Sequence, residues 1–76
     1  MAQTNDSNIH FSDLIYILKF LGFDERIKGS HHIFSKTGVI EIINLQSKEN
    51  NKSKTYQVKQ VRNILLKYKL VELENV

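Results

Sequence analysis

The chain has no cysteine and no proline among its 76 residues, and only three glycines. Without cysteine there are no disulfide staples and no thiolate metal sites, which is compatible with a reducing cytoplasm, the expected location. The three histidines are scattered and have no carboxylate at metal-ligand spacing, so neither a zinc site nor another cofactor is expected. Long apolar runs are also missing: none approaches the roughly 20 residues that a membrane span needs. The first ten residues, Met1 to His10, are polar and carry no apolar stretch of the signal-peptide kind. They read as a flexible leader, followed by a single domain over 11–76. A chain of this size buries only about 60% of the surface its unfolded form exposes, so one modest core is expected.

What is present is positive charge. Eleven Lys and Arg oppose eight Asp and Glu, a net +3. Two of the acids, Glu72 and Glu74, stand in the tail Leu70 to Val76, and without that tail 11 bases face 6 acids, or +5. Lys and Arg that neutralise phosphates supply most sequence-independent affinity for nucleic acid. The same excess also serves plain solubility, so charge alone leaves both readings open.

Along the chain, Ser12 is a suitable N-cap with Asp13 in the first turn. Leu14, Ile17, Leu18 and Leu21 then fall at i, i+3, i+4 and i+7, the apolar stripe of a helix that Gly22 stops, with Phe23 packing back on its last turn. Three strands are expected next: Phe23 to Lys28, ending at Gly29-Ser30; His31 to Lys36, turning at Lys36-Thr37-Gly38; and the β-branched run from Val39 to Leu45. The polar stretch Gln46 to Lys54 reads as a loop that is mobile or ordered by a partner. A second helix starts near Thr55 and runs to about Lys69, with Val58, Val61, Ile64, Leu65 and Tyr68 inside and Lys59, Arg62 and Lys67 outside. Tyr16, Tyr56 and Tyr68 lie in or near the helices and are expected to pack at core or boundary. The tail from Leu70 is compatible with a fraying end, an edge strand or an interaction segment. The order is therefore helix, three-strand meander, helix: an α+β fold with both helices on one sheet face and the other face wet.

The segment Lys28-Gly29-Ser30-His31-His32-Ile33-Phe34 carries the chemistry. Histidine, with an unperturbed pKa of roughly 6.5, both takes and gives a proton near neutral pH. Successive strand residues face opposite sides, so unless a bulge intervenes His31 and His32 cannot flank one phosphodiester as an acid–base pair. The residues alone leave the two histidines as equal candidates. His10, in the leader, has no assigned role.

Three features together resemble the HicA family, the mRNA-cleaving toxins of bacterial toxin–antitoxin pairs. They are the helix ending in Leu21-Gly22-Phe23, the Gly29-Ser30-His31 motif with Phe34 after it, and Arg62-Asn63-Ile64-Leu65 in the closing helix. The likeness spans about residues 12–70. It implies an αβββα fold of the double-stranded-RNA-binding-domain type, an essential histidine at His31, and a HicB-like antitoxin protein that covers it. The family's usual proline and histidine near the end of the third strand are replaced by Ile43-Asn44-Leu45, and its usual helix-ending glycine by Lys69.

The expected reaction is transesterification, with His31 removing the proton of a ribose 2′-hydroxyl, a group that DNA lacks. Backbone N–H groups at Gly29 and Ser30 are candidate donors to a phosphate oxygen, without a metal. Arg26 and Lys28, which alternate onto one face of the first strand, are the nearest candidate phosphate contacts; Lys59 and Arg62 on the second helix are more distant ones. The competing reading is a noncatalytic double-stranded-RNA-binding module of the same fold, with Lys52, Lys54 and Lys59 at the second helix start.

Overall fold

The structure, a computed structural model, describes residues 9–71. Most of the leader and the tail beyond Val71, including Glu72 and Glu74, lie outside the described residues. The elements run α1 (Phe11–Phe20), β1 (Asp24–Lys28), β2 (His31–Lys36), β3 (Val39–Leu45), a short 3₁₀ turn (Glu49–Asn51) and α2 (Thr55–Lys67). The strands form one antiparallel sheet in the order β1-β2-β3. This is the expected αβββα architecture.

The core lies between the helices and one sheet face. Phe11, Leu14 and Leu18 of α1 meet Phe34, Ile43 and Leu45 of the sheet and Val58, Val61, Ile64 and Leu65 of α2 in one cluster. Leu18, Phe34, Ile43 and Leu45 are completely buried, and burial of such a side chain is worth about 1.5–3 kcal/mol. The opposite sheet face has no covering layer among the described residues, and Ile40 and Ile42 stand exposed on it.

The stripe of α1 is rotated from the expected one. Ile17 is exposed and Phe11, outside the expected stripe, is buried. Two tyrosines also depart from expectation: Tyr16 is exposed and stacks on exposed Phe20, and Tyr56 is exposed, whereas Tyr68 is half-buried against the core. With a core this small, the helices have more apolar surface than the sheet can cover.

The start of α1 differs as well: His10, not Ser12, is its N-cap, whereas α2 starts at Thr55 as expected, with Lys54 as N-cap; neither N-cap makes a side-chain cap. Instead Asn51 reaches back from the 3₁₀ turn, accepting the Ser12 N–H at 3.2 Å and donating to Ser12 Oγ at 3.0 Å. The Gln46 to Lys54 stretch is thereby pinned within the chain rather than left for a partner to order. Lys48 N–H donates to the Lys52 carbonyl at 2.7 Å, and Ser53 N–H to the Ile9 carbonyl at 3.1 Å.

Both helices end in the same motif. In α1, Gly22 N–H bonds the Lys19 carbonyl and Phe23 N–H the Leu18 carbonyl; in α2, Lys69 N–H bonds Leu66 and Leu70 N–H bonds Leu65. This is the Schellman arrangement, whose turning residue needs positive φ. Gly22 supplies it at φ 95, and Lys69 does so at φ 57 despite its side chain.

Candidate active site

The β1–β2 hairpin is closed by two residues, Gly29 and Ser30, between the paired Lys28 and His31. Gly29 has φ 62, the positive value that the first central position of a two-residue hairpin demands in one of its favoured forms. A Cβ at Gly29 would meet nothing within 4 Å, so φ rather than space requires glycine here. Among the described residues neither the Gly29 nor the Ser30 N–H has a backbone acceptor, so both remain available to a ligand.

Register then decides which side chains share a face, since directly opposed residues point the same way. Lys28 faces His31, and Arg26 faces Ile33, which in turn faces Asn44. These residues therefore stand together on the uncovered side of the sheet. Lys28, His31, Ile33 and Asn44 line a shallow depression of about 290 Å³ there. His31 is exposed, and its Nδ1 lies 3.0 Å from Asn44 Oδ1. The hairpin is tied to the rest of the molecule through Gln46, whose Nε2 donates to Ser30 Oγ at 2.8 Å and whose Oε1 accepts from Lys54 Nζ at 3.4 Å.

His32 points the other way, into the seam under α1. Its Nδ1 is 2.7 Å from Glu25 Oε2, and its ring packs edge-on against Phe11 at 5.1 Å. Glu25 also pairs with Lys19 at 3.4 Å. The hydrogen bond with His32 is the main reason that the Glu25 carboxyl titrates below its ordinary range, with burial working against it and Lys19 adding to it. This environment is structural: it is walled by α1, while His31 faces open solvent.

The candidate residues thus divide. Arg26, Lys28, Gly29, Ser30 and His31 are brought together at one end and one face of the sheet. Lys59 and Arg62 belong to α2, in the layer on the other side, and the fold does not bring them to this face. Asn44, Gln46 and Gln57 were not singled out from the sequence. Gln57 is 7% exposed, and its amide accepts the Gln46 N–H at 3.3 Å while donating to the Asn44 carbonyl at 3.5 Å. A polar side chain one position before the apolar stripe of α2 was the available signal. Among the described residues no group of three His, Cys, Asp or Glu side chains converges to hold a metal ion, and no helix is long and apolar enough to cross a membrane. Compared with protein-family models, with curated proteins and with solved structures, the chain gave no match in any of the three.

Proposed function

We propose that the chain is a ribonuclease of the toxin type, cleaving mRNA through His31 without a metal cofactor and silenced by a HicB-like antitoxin that covers this face. One observation carries the reading: His31 is exposed on an uncovered sheet face, beside Lys28 and an open depression, and not sealed in the core. His31 takes the proton of a ribose 2′-hydroxyl; the 2′-oxygen bonds to the adjacent phosphorus; the bond from phosphorus to the 5′-oxygen breaks, and that oxygen takes up a proton. The products are a 2′,3′-cyclic phosphate and a 5′-hydroxyl. Lys28 and Arg26 are the phosphate contacts, and the Gly29 and Ser30 N–H groups donate to a non-bridging oxygen. Lys59 and Arg62 are left as contacts to more distant parts of the RNA.

The test is incubation of the purified chain with RNA in EDTA. Wild type cleaves, and His31→Ala loses about 10²- to 10⁴-fold in rate, the usual worth of one general acid–base group. Because the side chain is exposed, the variant stays folded. Cleavage retained in His31→Ala overturns the reading. A mobility shift without cleavage by wild type supports instead the noncatalytic RNA-binding module, with Lys52, Lys54 and Lys59 at the start of α2.

A further inference from the structure

A neutral histidine acts as a base only at the ring nitrogen that lacks a proton, so its tautomer decides which atom can face a substrate. The Asn44 side chain presents its carbonyl oxygen to His31 Nδ1 at 3.0 Å. An oxygen at that distance needs a donor, which puts the proton on Nδ1 and leaves Nε2 bare. Free histidine prefers the reverse, with the proton on Nε2. The contact therefore selects the less common form.

Asn44 is itself well placed for this. It lies on β3 diagonally across from His31, on the same uncovered face, and its backbone carbonyl is held by the buried amide of Gln57. On the other side of His31, the neighbouring Ser30 hydroxyl is held by Gln46, whose backbone N–H is bound by the same Gln57 side chain. Asn44 and the residue before His31 are thus both linked to one side chain of α2, Asn44 directly and Ser30 through Gln46.

We infer that Asn44 is a positioning residue that holds His31 in the Nδ1–H tautomer, with Nε2 as the proton acceptor on the open face. Its consequence for catalysis rests on the proposed nuclease reading; the tautomer itself rests on the geometry alone. Nitrogen-15 NMR of the imidazole rings in the intact chain decides the latter without any RNA. Wild type shows His31 protonated mainly at Nδ1, Asn44→Leu returns it to the common Nε2–H form, and Asn44→Asp, which keeps an oxygen acceptor, retains the Nδ1–H form. Asn44 is exposed, so these variants leave the core intact. In the cleavage assay Asn44→Leu lowers kcat by about 10- to 100-fold, the range typical of partners that orient a histidine, with KM nearly unchanged, and Asn44→Asp recovers most of the loss. A wild-type ring protonated at Nε2, or a tautomer indifferent to Asn44→Leu, overturns the inference. The expected tautomers in a chain that cuts no RNA uphold it and overturn the nuclease reading.

Discussion

Glu41 on β3 receives hydrogen bonds from two side chains at the C-terminal end of α2, Lys67 Nζ and the hydroxyl of the C-cap Tyr68, each at 2.7 Å. Lys67 first and Tyr68 second lower its pKa from the ordinary 4.5 to about 2, and Lys67 in turn is raised by the carboxylate. A carboxyl that titrates lower in the folded chain stabilises fully above its unfolded pKa, and that contribution disappears as the pH falls through the folded one. Glu41 therefore supports the fold above pH 4.5 and ceases to do so as the pH approaches 2. Acid unfolding followed by circular dichroism should be shallower over that interval in Glu41→Gln than in wild type; identical acid limbs would rule this out. The two adjacent histidines offer a second contrast. His32→Ala removes a charge-assisted hydrogen bond to half-buried Glu25 and should cost about 1.5–3 kcal/mol while leaving RNA cleavage intact, the opposite of His31→Ala. Loss of cleavage in a folded His32→Ala would return the two histidines to equal standing.

At the level of the elements, the helix ends make a matched pair. Each closes with the same two backbone hydrogen bonds, but glycine turns the chain after α1 and lysine after α2. A left-handed residue with a Cβ costs roughly 1–2 kcal/mol relative to the right-handed form, a penalty glycine escapes. Lys69→Gly should then raise stability by about 1 kcal/mol, with Tm higher by about 4–8 °C for a domain of this size. Gly22→Ala should do the reverse, because φ 95 is strained for alanine and its Cβ would stand 2.8 Å from Lys36 Nζ. Thermal denaturation of both variants checks the pair; a Lys69→Gly chain that melts below wild type would show that the lysine stem contributes more than the backbone strain costs. Two side chains, one from α2 and one from its C-cap, also protect the edge of β3. Tyr68 accepts the Ile40 N–H at 3.2 Å and Gln57 donates to the Asn44 carbonyl, so hydrogen-bonding groups that an edge strand would otherwise offer to another chain are occupied.

The whole molecule divides its work between two sheet faces: one holds the core, the other holds the candidate site. If RNA lies across the second face, its affinity must fall with salt, with a slope of roughly 0.7 per phosphate neutralised on a single strand. In the His31→Ala background, which the proposed reading makes catalytically silent, replacing both Arg26 and Lys28 with Gln should reduce that slope by about 1.4. Replacing Lys59 in the same background should change it less, since Lys59 lies in the helical layer. A larger effect at Lys59, read by titration at several salt concentrations, would move the RNA to the helices.

Much of this was legible in the chain. Period-3.6 patterning located both helices, and the turn residues with the β-branched run of Val39 to Leu45 located the three strands, because these signals belong to single elements and their ends. Alternation also placed His31 and His32 on opposite faces. It did not say which face was covered, because that depends on where α1 lands. Phe11 and Ile17 exchanged places for the same reason: α1 has more than one apolar stripe, and packing against Phe34 selects between them. Asn44 was nearer to view than it looked. Counting outward from the Thr37-Gly38 turn sets it opposite His31, and the irregularity between Phe34 and Lys36 slides the pairing so that it faces Ile33 instead. A two-residue slide preserves the face, whereas a slide of one would have turned Asn44 inward.

Composition, charge and periodicity determined by themselves the elements, their order and the imidazole at the hairpin, since each is set by neighbours along the chain. Tertiary structure alone decided that His31 meets solvent and Asn44 and that His32 meets Glu25 and Phe11. Those contacts join residues far apart in sequence, and only strand register and the docking of the helices bring them within reach.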